Sequence, residues 1–264
     1  MLWKKQQPVY RPSSDQILSP LPGPFRSALL SMYNGEPQLG SDGERHNLDA
    51  KVHISGEQGM WLHNLCRETK AKTTLEIGLA YGYSTVYFLA SIHENGFGHH
   101  TAVDPIQTTF WHGIGLCQPR SLGMSDSFGF IEEQSVPALV HFADRGKTFE
   151  VIFIDGNHRF DDVLVDFTLA SELCSMEGCI VLDDMWMPSI CRAVAFIRSN
   201  RKDFEELKTP VANIAAFRRI GEDARQWNHY VEFCDPHDMP RTIQRLTPAS
   251  LRRGAKAIAR LMRL

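Results

Sequence analysis

Between Phe149 and Asp184 the chain alternates apolar runs with a helical pattern. Val151 to Ile154 is a continuous apolar run ending in Asp155, and Ile180 to Leu182 is another, ending in Asp183 and Asp184. Strands covered on both faces lose the polar–apolar alternation of a half-exposed strand, so the stretch predicts a parallel βαβ unit. Its two strands finish in acid on the same edge. In an open parallel sheet that carboxyl edge is where ligands bind.

Upstream, Ser55 with Gln58 three residues later opens a helical pattern carrying Met60, Leu62, Leu65 and Cys66, the signature of a capped amphipathic helix. Thr73 to Ile77 follows as a strand. Gly78 and Gly82 then bracket a tight turn into an apolar helix, Ser84 to Ile92, so the backbone there can approach a ligand closely. The dinucleotide fingerprint GxGxxG does not fit, because positions 78, 80 and 83 hold Gly78, Ala80 and Tyr83. A second strand, His100 to Val103, ends in Asp104, placed to accept hydrogen bonds from ribose hydroxyls. Together the loop and this acid point to an adenosine-containing cofactor.

Residues 105–126 read as less regular, with Phe110, Trp111 and His112 either lining a pocket or packing on the sheet. A third strand, Phe128 to Glu132, leads through Glu133, Gln134 and Ser135 to a short helix, Pro137 to Asp144. Those polar side chains either meet an adenine ring or cap the helix. Beyond the central unit come an amphipathic helix, Pro188 to Asn200, and a closing hairpin of Phe204 to Leu207 with Val211 to Ile220. Residues 228–234 are expected to add an edge strand.

Residues 1–54, rich in Pro, Ser, Gly and Asn, read as an N-terminal arm or cap with one helix, Pro24 to Tyr33. Residues 55–235 form the main domain. The tail, residues 236–264, carries seven Arg or Lys and no acid from Pro240 onward, with Leu251, Ala255, Ile258 and Met262 on one helical face. Basic amphipathic helices touch membrane surfaces, nucleic acid or acidic partners, although docking on the parent domain is commoner. The fold class expected is therefore α/β: a doubly wound, mostly parallel Rossmann-like sheet with a closing C-terminal hairpin, an N-terminal cap and a basic C-terminal helix.

Composition narrows this picture little. The 264 residues are 43% hydrophobic and 22% charged, with a formal net charge of −3, so no global nucleic-acid signal exists and no nucleic acid is expected as partner. Six scattered cysteines lack zinc-site spacing and suit a reducing compartment. No apolar run has signal-peptide or membrane-span character, so a cytoplasmic protein is expected, with peripheral membrane contact reserved for the basic tail.

Three carboxylates gathered at one sheet edge repel one another unless protonated or neutralised by a cation, and hard oxygen donors suit Mg²⁺, Ca²⁺ or Mn²⁺. The plainer alternative is that strand-end aspartates cap helices or face solvent. EIGLAYGYST, AVDP, and IDGNH followed by VLDD tip the balance. With these motifs the chain resembles the class I S-adenosylmethionine-dependent methyltransferases, and among them a metal-dependent O-methyltransferase-like group that includes macrolide sugar O-methyltransferases and cephamycin-pathway methyltransferase-like proteins. The resemblance spans about Ser55 to Ile220.

It implies that Asp155, Asp183 and Asp184 hold Mg²⁺ or another divalent cation. It also implies that His158 acts as a base beside Asp155. S-Adenosylmethionine is assigned by the same resemblance to Glu76, Gly78, Tyr81, Gly82, Ser84, Thr85, Asp104, Gln134, Ser135 and Asp155. The chain departs from the group in having Asn157 where many relatives carry a second acid. The activity implied is metal-assisted O-methylation of a hydroxyl on a small molecule, a sugar or natural product, by a chain able to self-associate. The alternative is a non-catalytic S-adenosylmethionine-binding or partner-binding protein on the same fold. A NAD oxidoreductase fits the loop spacing poorly, and a hydrolytic metal site leaves the EIG loop and Asp104 unexplained.

Overall fold

The structure, a computed structural model, describes residues 15–233. Helix α1 (Gly23–Tyr33) leads to a small hairpin of β1 (Gln38–Leu39) and β2 (Arg45–His46), then to α2 (Gly56–Glu68). Strands β3 (Thr73–Ile77), β4 (His99–Val103), β5 (Phe128–Ile131), β6 (Phe149–Ile154) and β7 (Cys174–Leu182) are joined by α3 (Tyr83–Asn95), α4 (Ile114–Ser121), α5 (Ser135–Asp144) and α6 (Phe160–Leu173). Helix α7 (Pro188–Asn200) precedes the closing strands β8 (Phe204–Leu207) and β9 (Ala215–Arg219).

The main sheet has the order β5-β4-β3-β6-β7-β9-β8. Its first five strands run parallel, and β9 pairs antiparallel with both β7 and β8. This is the expected doubly wound sheet with its closing hairpin. The order reverses between β3 and β6, which opens a crevice at their carboxyl ends.

Alternation along β6 divides the core. Val151 and Phe153 face one side and join a cluster with Leu29, Met32, Leu62 and Tyr87, whereas Ile152 and Ile154 face the other with Phe167, Val194 and Leu182. Both strand faces are buried, which is why the sequence carries apolar runs rather than alternation. The residues from 15 to 54 share the first of these clusters through Leu18, Phe25, Leu29 and Met32.

Register fixes the functional edge. Ile77 stands opposite both Val103 and Ile154, and Ile154 opposite Leu182. The residues that follow, Gly78, Asp104, Asp155 and Asp183, are therefore level with one another along one rim.

Two expectations change. Residues 105–126 contain a regular helix, α4, entered through Gly113 in the left-handed region and carrying Pro119 within it. Pro119 is the sixth of the eight residues of α4, beyond the first turn, so the helix forgoes the N–H that would otherwise reach the Gly115 carbonyl. Residues 228–233 form no strand. Instead the Asn200 amide takes both backbone bonds of Val231, donating Nδ2 to the carbonyl at 2.9 Å and accepting its N–H at Oδ1 at 2.8 Å. A side chain thus occupies the place a neighbouring strand would take. The tail from Pro240 and residues 1–14 lie outside the described residues. Among the described residues no helix is long and apolar enough to cross a membrane, and Cys66, Cys117, Cys174 and Cys179 are buried thiols.

Candidate active site

The cofactor-type loop is held from behind by a buried acid. Glu76 on β3 is fully buried and accepts hydrogen bonds from Ser84 Oγ at 2.6 Å and from Thr85 Oγ1, with His100 Nε2 at 3.1 Å. Both hydroxyls belong to the first turn of α3, so this carboxylate ties the helix start to the strand end. Ser84 and Thr85 are thereby committed to Glu76. Gly78 has φ +96°, and a Cβ there would fall on the carbonyl oxygen of Asp155; Gly82 has φ +83° and opens α3. Only glycine meets both demands at position 78.

Asp104, nearly buried at the end of β4, accepts the N–H groups of Leu79 (3.2 Å) and Ala80 (3.0 Å) on one oxygen and of Ile106 (2.9 Å) on the other. Burial raises its carboxyl above the ordinary range, opposed by these three bonds. Gln134 occupies the position before α5 without capping it through its side chain, and the Ser135 hydroxyl bonds Asp166 of α6.

The segment after β2 lies across the loop. Tyr81 Oη accepts the Asp49 N–H at 3.2 Å, and Tyr83 Oη donates to the Met32 carbonyl at 2.9 Å. Val52, His53 and Ile54 cover the turn of residues 78–84 beside Asp155 and leave about 40 Å³ between them.

Next to this turn opens a cavity of about 1010 Å³. Asp155, His158, Asp183 and Asp184 form its acidic wall; Trp111, Trp186, Met187 and His53 form flatter walls, and Lys51 stands at its margin. His158 Nε2 lies 3.0 Å from Asp184 Oδ2 and 3.5 Å from Asp155 Oδ1, yet it is buried without a well-aligned hydrogen bond. These contacts are therefore ionic more than directional. The Asp155 carboxylate, then that of Asp184, raise His158 to about 10. Burial pushes Asp155 up to about 6 despite the histidine. Burial, with the charges of Asp155 and Asp184, drives Asp183 well above the carboxylate range. Burial also works against Asp184, but His158, Trp186 and Asn213 together hold it below its ordinary value.

Asp183 and Asp184 divide their partners. Asp183 Oδ1 accepts from the Gln58 amide, from Asn213 Nδ2 at 3.1 Å and from the Asp184 N–H at 2.7 Å. Asp184, in the left-handed region at φ +59°, accepts Trp186 Nε1 at 2.7 Å and Asn213 Nδ2 at 3.3 Å on Oδ1. Asp155, His158 and Asp184 each offer a ligand atom within 4.8 Å of the others.

Residues 75–185 match a family model described as a methyltransferase domain. The chain is 28% identical over 169 residues to caffeoyl-CoA O-methyltransferase 2 of Populus trichocarpa, covering 61% of this chain and 65% of that protein. To caffeoyl-CoA O-methyltransferase 1 of Eucalyptus globulus it is 28% identical over 139 residues, 52% of this chain and 54% of the other. The chain thus spans between half and two thirds of these relatives' lengths. Among solved structures, the Bacillus cereus O-methyltransferase in complex with S-adenosylhomocysteine superposes with a TM-score of 0.54 at 18% identity, over 64% of this chain and 83% of that one. The fold is that of the class I S-adenosylmethionine-dependent O-methyltransferases.

On this methyltransferase fold the structure brings Asp155, His158, Asp183 and Asp184 into one cavity, and Gly78, Tyr81, Gly82 and Asp104 around one loop. Ser84, Thr85 and Ser135 turn to protein partners instead. Sequence reasoning missed Gln58, Asn213 and Trp186. Gln58 was legible only as a capping residue; it does cap, accepting Ser55 N–H at 2.8 Å, and its amide nitrogen continues to Asp183. Asn213 and Trp186 sit in loops without periodic pattern, where only the fold reveals their proximity.

Proposed function

We propose that this chain is an S-adenosylmethionine-dependent O-methyltransferase that uses a divalent cation and methylates a hydroxyl on a small molecule. The observation that carries the reading is the acidic wall at the rim of β6 and β7, in a cavity that opens beside the glycine turn after β3, with Ala80 of that turn and Asp155 bordering both spaces. A turn that lets backbone approach a ligand, an acid beside it and a separate oxygen-rich cluster suit a cofactor, a cation and an acceptor held side by side.

The residues fit both absent groups. Asp155 and Asp184 supply hard carboxylate oxygens, Asp183 adds a third acid to the wall, and the buried, misaligned His158 Nε2 marks a point where a cation would satisfy the cluster better than a side chain does. When bound, S-adenosylmethionine brings an activated methyl group, and the cation orients a hydroxyl and lowers its pKa. Gly78 and Gly82 let the turn approach the methionine part, and Asp104, already collecting N–H groups from that turn, supports a role at the ribose. Tyr81, Ser84 and Thr85 hold the turn in shape, and Gln134, just before α5, is assigned the adenine, with Ser135 beside it held by Asp166. His158 is assigned the acceptor's proton. That role needs the cluster's charge neutralised first, since the bare carboxylates hold the imidazole protonated to about 10.

Residues up to 54 act as the cap of this domain, and 55–235 as its catalytic body. Trp111, Trp186 and His53 on the cavity walls favour a flat hydroxylated ring over a sugar. Vicinal hydroxyls would fit the acidic wall, and the curated relatives' names, caffeoyl-CoA and flavonoid methyltransferases, lean the same way. The buried thiols of Cys66, Cys117, Cys174 and Cys179 support a reducing, cytoplasmic setting.

The test is calorimetric titration with S-adenosylhomocysteine, with and without Mg²⁺, followed by aromatic and sugar diols. Saturable cofactor binding with diol affinity only in the presence of metal is the expected result. Absence of cofactor binding under every condition would remove the enzymatic reading.

A further inference from the structure

Asp42, His46 and His112 form a second group of ligating side chains, away from the acidic cavity. The first two lie on the β1–β2 hairpin and the third on the segment entering α4, so distant parts of the chain meet there. We propose that these three residues bind a zinc-class divalent cation that fastens the hairpin to the entry of α4.

Geometry carries the proposal. Each residue offers one ligand atom within 4.8 Å of the others. His46 Nε2 lies 2.8 Å from Asp42 Oδ2 and 3.1 Å from Oδ1, and the His46 and His112 rings stack at 4.0 Å with 6° between their planes. The proton between His46 and Asp42 occupies the place that an ion takes when imidazole and carboxylate become ligands. Stacked rings hold their nitrogen lone pairs in parallel planes, so ligation takes the exposed His112 ring out of the stack to turn a nitrogen toward the same point.

The backbone is arranged for this approach. A Cβ on Gly40 would come 2.7 Å from Asp42 Oδ1, 2.7 Å from the His112 carbonyl oxygen and 2.9 Å from His46 Cδ2, so only glycine lets the three meet. Ser41 N–H donates to the His112 carbonyl at 2.9 Å, and a Cβ on Gly113 would strike the Ser41 hydroxyl. His112 itself holds φ +54°, a region costly for most side chains and retained where surroundings demand it.

Two imidazoles and one carboxylate form a borderline donor set that selects late first-row ions such as Zn²⁺ over Mg²⁺, which prefers oxygen. The solvent side leaves coordination positions for water. The site also touches the cofactor-type loop indirectly: Gly113 N–H bonds Gln107 at 2.8 Å, Gln107 donates to the Ala80 carbonyl at 2.9 Å, and Trp111 stands edge-on to Tyr81 at 5.1 Å. An ion here would stiffen that loop from outside the cavity.

The test uses the full chain in excess Mg²⁺, which occupies the oxygen-rich cavity, and measures Zn²⁺ by equilibrium dialysis and Co²⁺ by its visible absorption. His46→Gln and His112→Asn are the variants, asparagine being tolerant of the left-handed backbone at 112. The expected result is loss of one bound Zn²⁺ equivalent and of the Co²⁺ band in both variants, with S-adenosylhomocysteine still bound as a check on folding. Equal Zn²⁺ stoichiometry and an unchanged Co²⁺ spectrum in wild type and variants would overturn the proposal.

Discussion

Asp166 on α6 is 1% exposed, and its Oδ1 has no hydrogen-bond partner. Burial first, then the nearby charge of Asp162, raise its pKa to about 6 against an ordinary 3.8, with the Ser135 hydroxyl opposing them. A displacement of about 2 units corresponds to about 3 kcal/mol of differential stability. The sign follows from linkage: folding favours the protonated form, so the contribution is whole below the unfolded value of 3.8 and is lost as pH rises through about 6. Asp166→Asn removes that loss while keeping an acceptor for Ser135. Its new amide N–H₂ replaces the partnerless oxygen and forfeits roughly 1 kcal/mol.

The variant should therefore be more stable than wild type by roughly 1–2 kcal/mol at pH 7.5 and no more stable near pH 4. Urea denaturation at pH 4, 5, 6 and 7.5 measures both curves, and converging lines toward acid are the expected pattern. Parallel curves, or a variant weaker at pH 7.5, would refute the reasoning and return Ser135 to the cofactor.

Gly78→Ala combines a left-handed backbone with a Cβ on the Asp155 carbonyl, so it should lower stability by about 2–5 kcal/mol and abolish S-adenosylhomocysteine binding, read by thermal melting and calorimetry. Asp184→Asn should reduce methyl transfer by roughly 10²-fold or more and weaken Mg²⁺ binding while leaving S-adenosylhomocysteine affinity within a few fold; unchanged turnover in chelator would exclude the cation's role. Because the ion-free cluster keeps His158 protonated to about 10 and Asp155 partly so to about 6, Mg²⁺ binding should release protons and tighten as pH rises from 6 to 9, measured by calorimetry in buffers of different ionisation enthalpy.

The central βαβ unit was legible because burial on both faces of β6 and β7 writes an uninterrupted apolar run, and because acids at strand ends stand out against it. The Ser55–Gln58 capping box was legible for a similar reason: it is local chemistry at fixed spacing, and both of its bonds form. Helix α4 was hidden by glycines at 113 and 115 and by Pro119, which erase a helical pattern although tertiary contacts keep the helix. Val231 lies in a stretch with strand-like composition, yet its backbone partner is the Asn200 side chain, a tertiary choice no local pattern records. In the site, the acids were readable, but their amide partners Gln58 and Asn213 lie 125 and 30 residues from Asp183. Such pairings exist only once the sheet has aligned its rim.

Strand β8 ends the sheet on the side away from the cofactor turn, and its middle residues are Glu205 and Glu206. Arg218 meets the first at 2.8 Å and Arg198 the second at 2.5 Å, so the acids are anchored along the border of the sheet. Unpaired strand borders invite another chain to add on, and adjacent charges on a short strand discourage it. A second copy docking antiparallel at β8 with the strand centres aligned would set a glutamate of one copy opposite a glutamate of the other on each face, which is destabilising across paired strands. Among the described residues, this border resists growing into a shared sheet, whereas the opposite margin at β5 carries no such pair of acids.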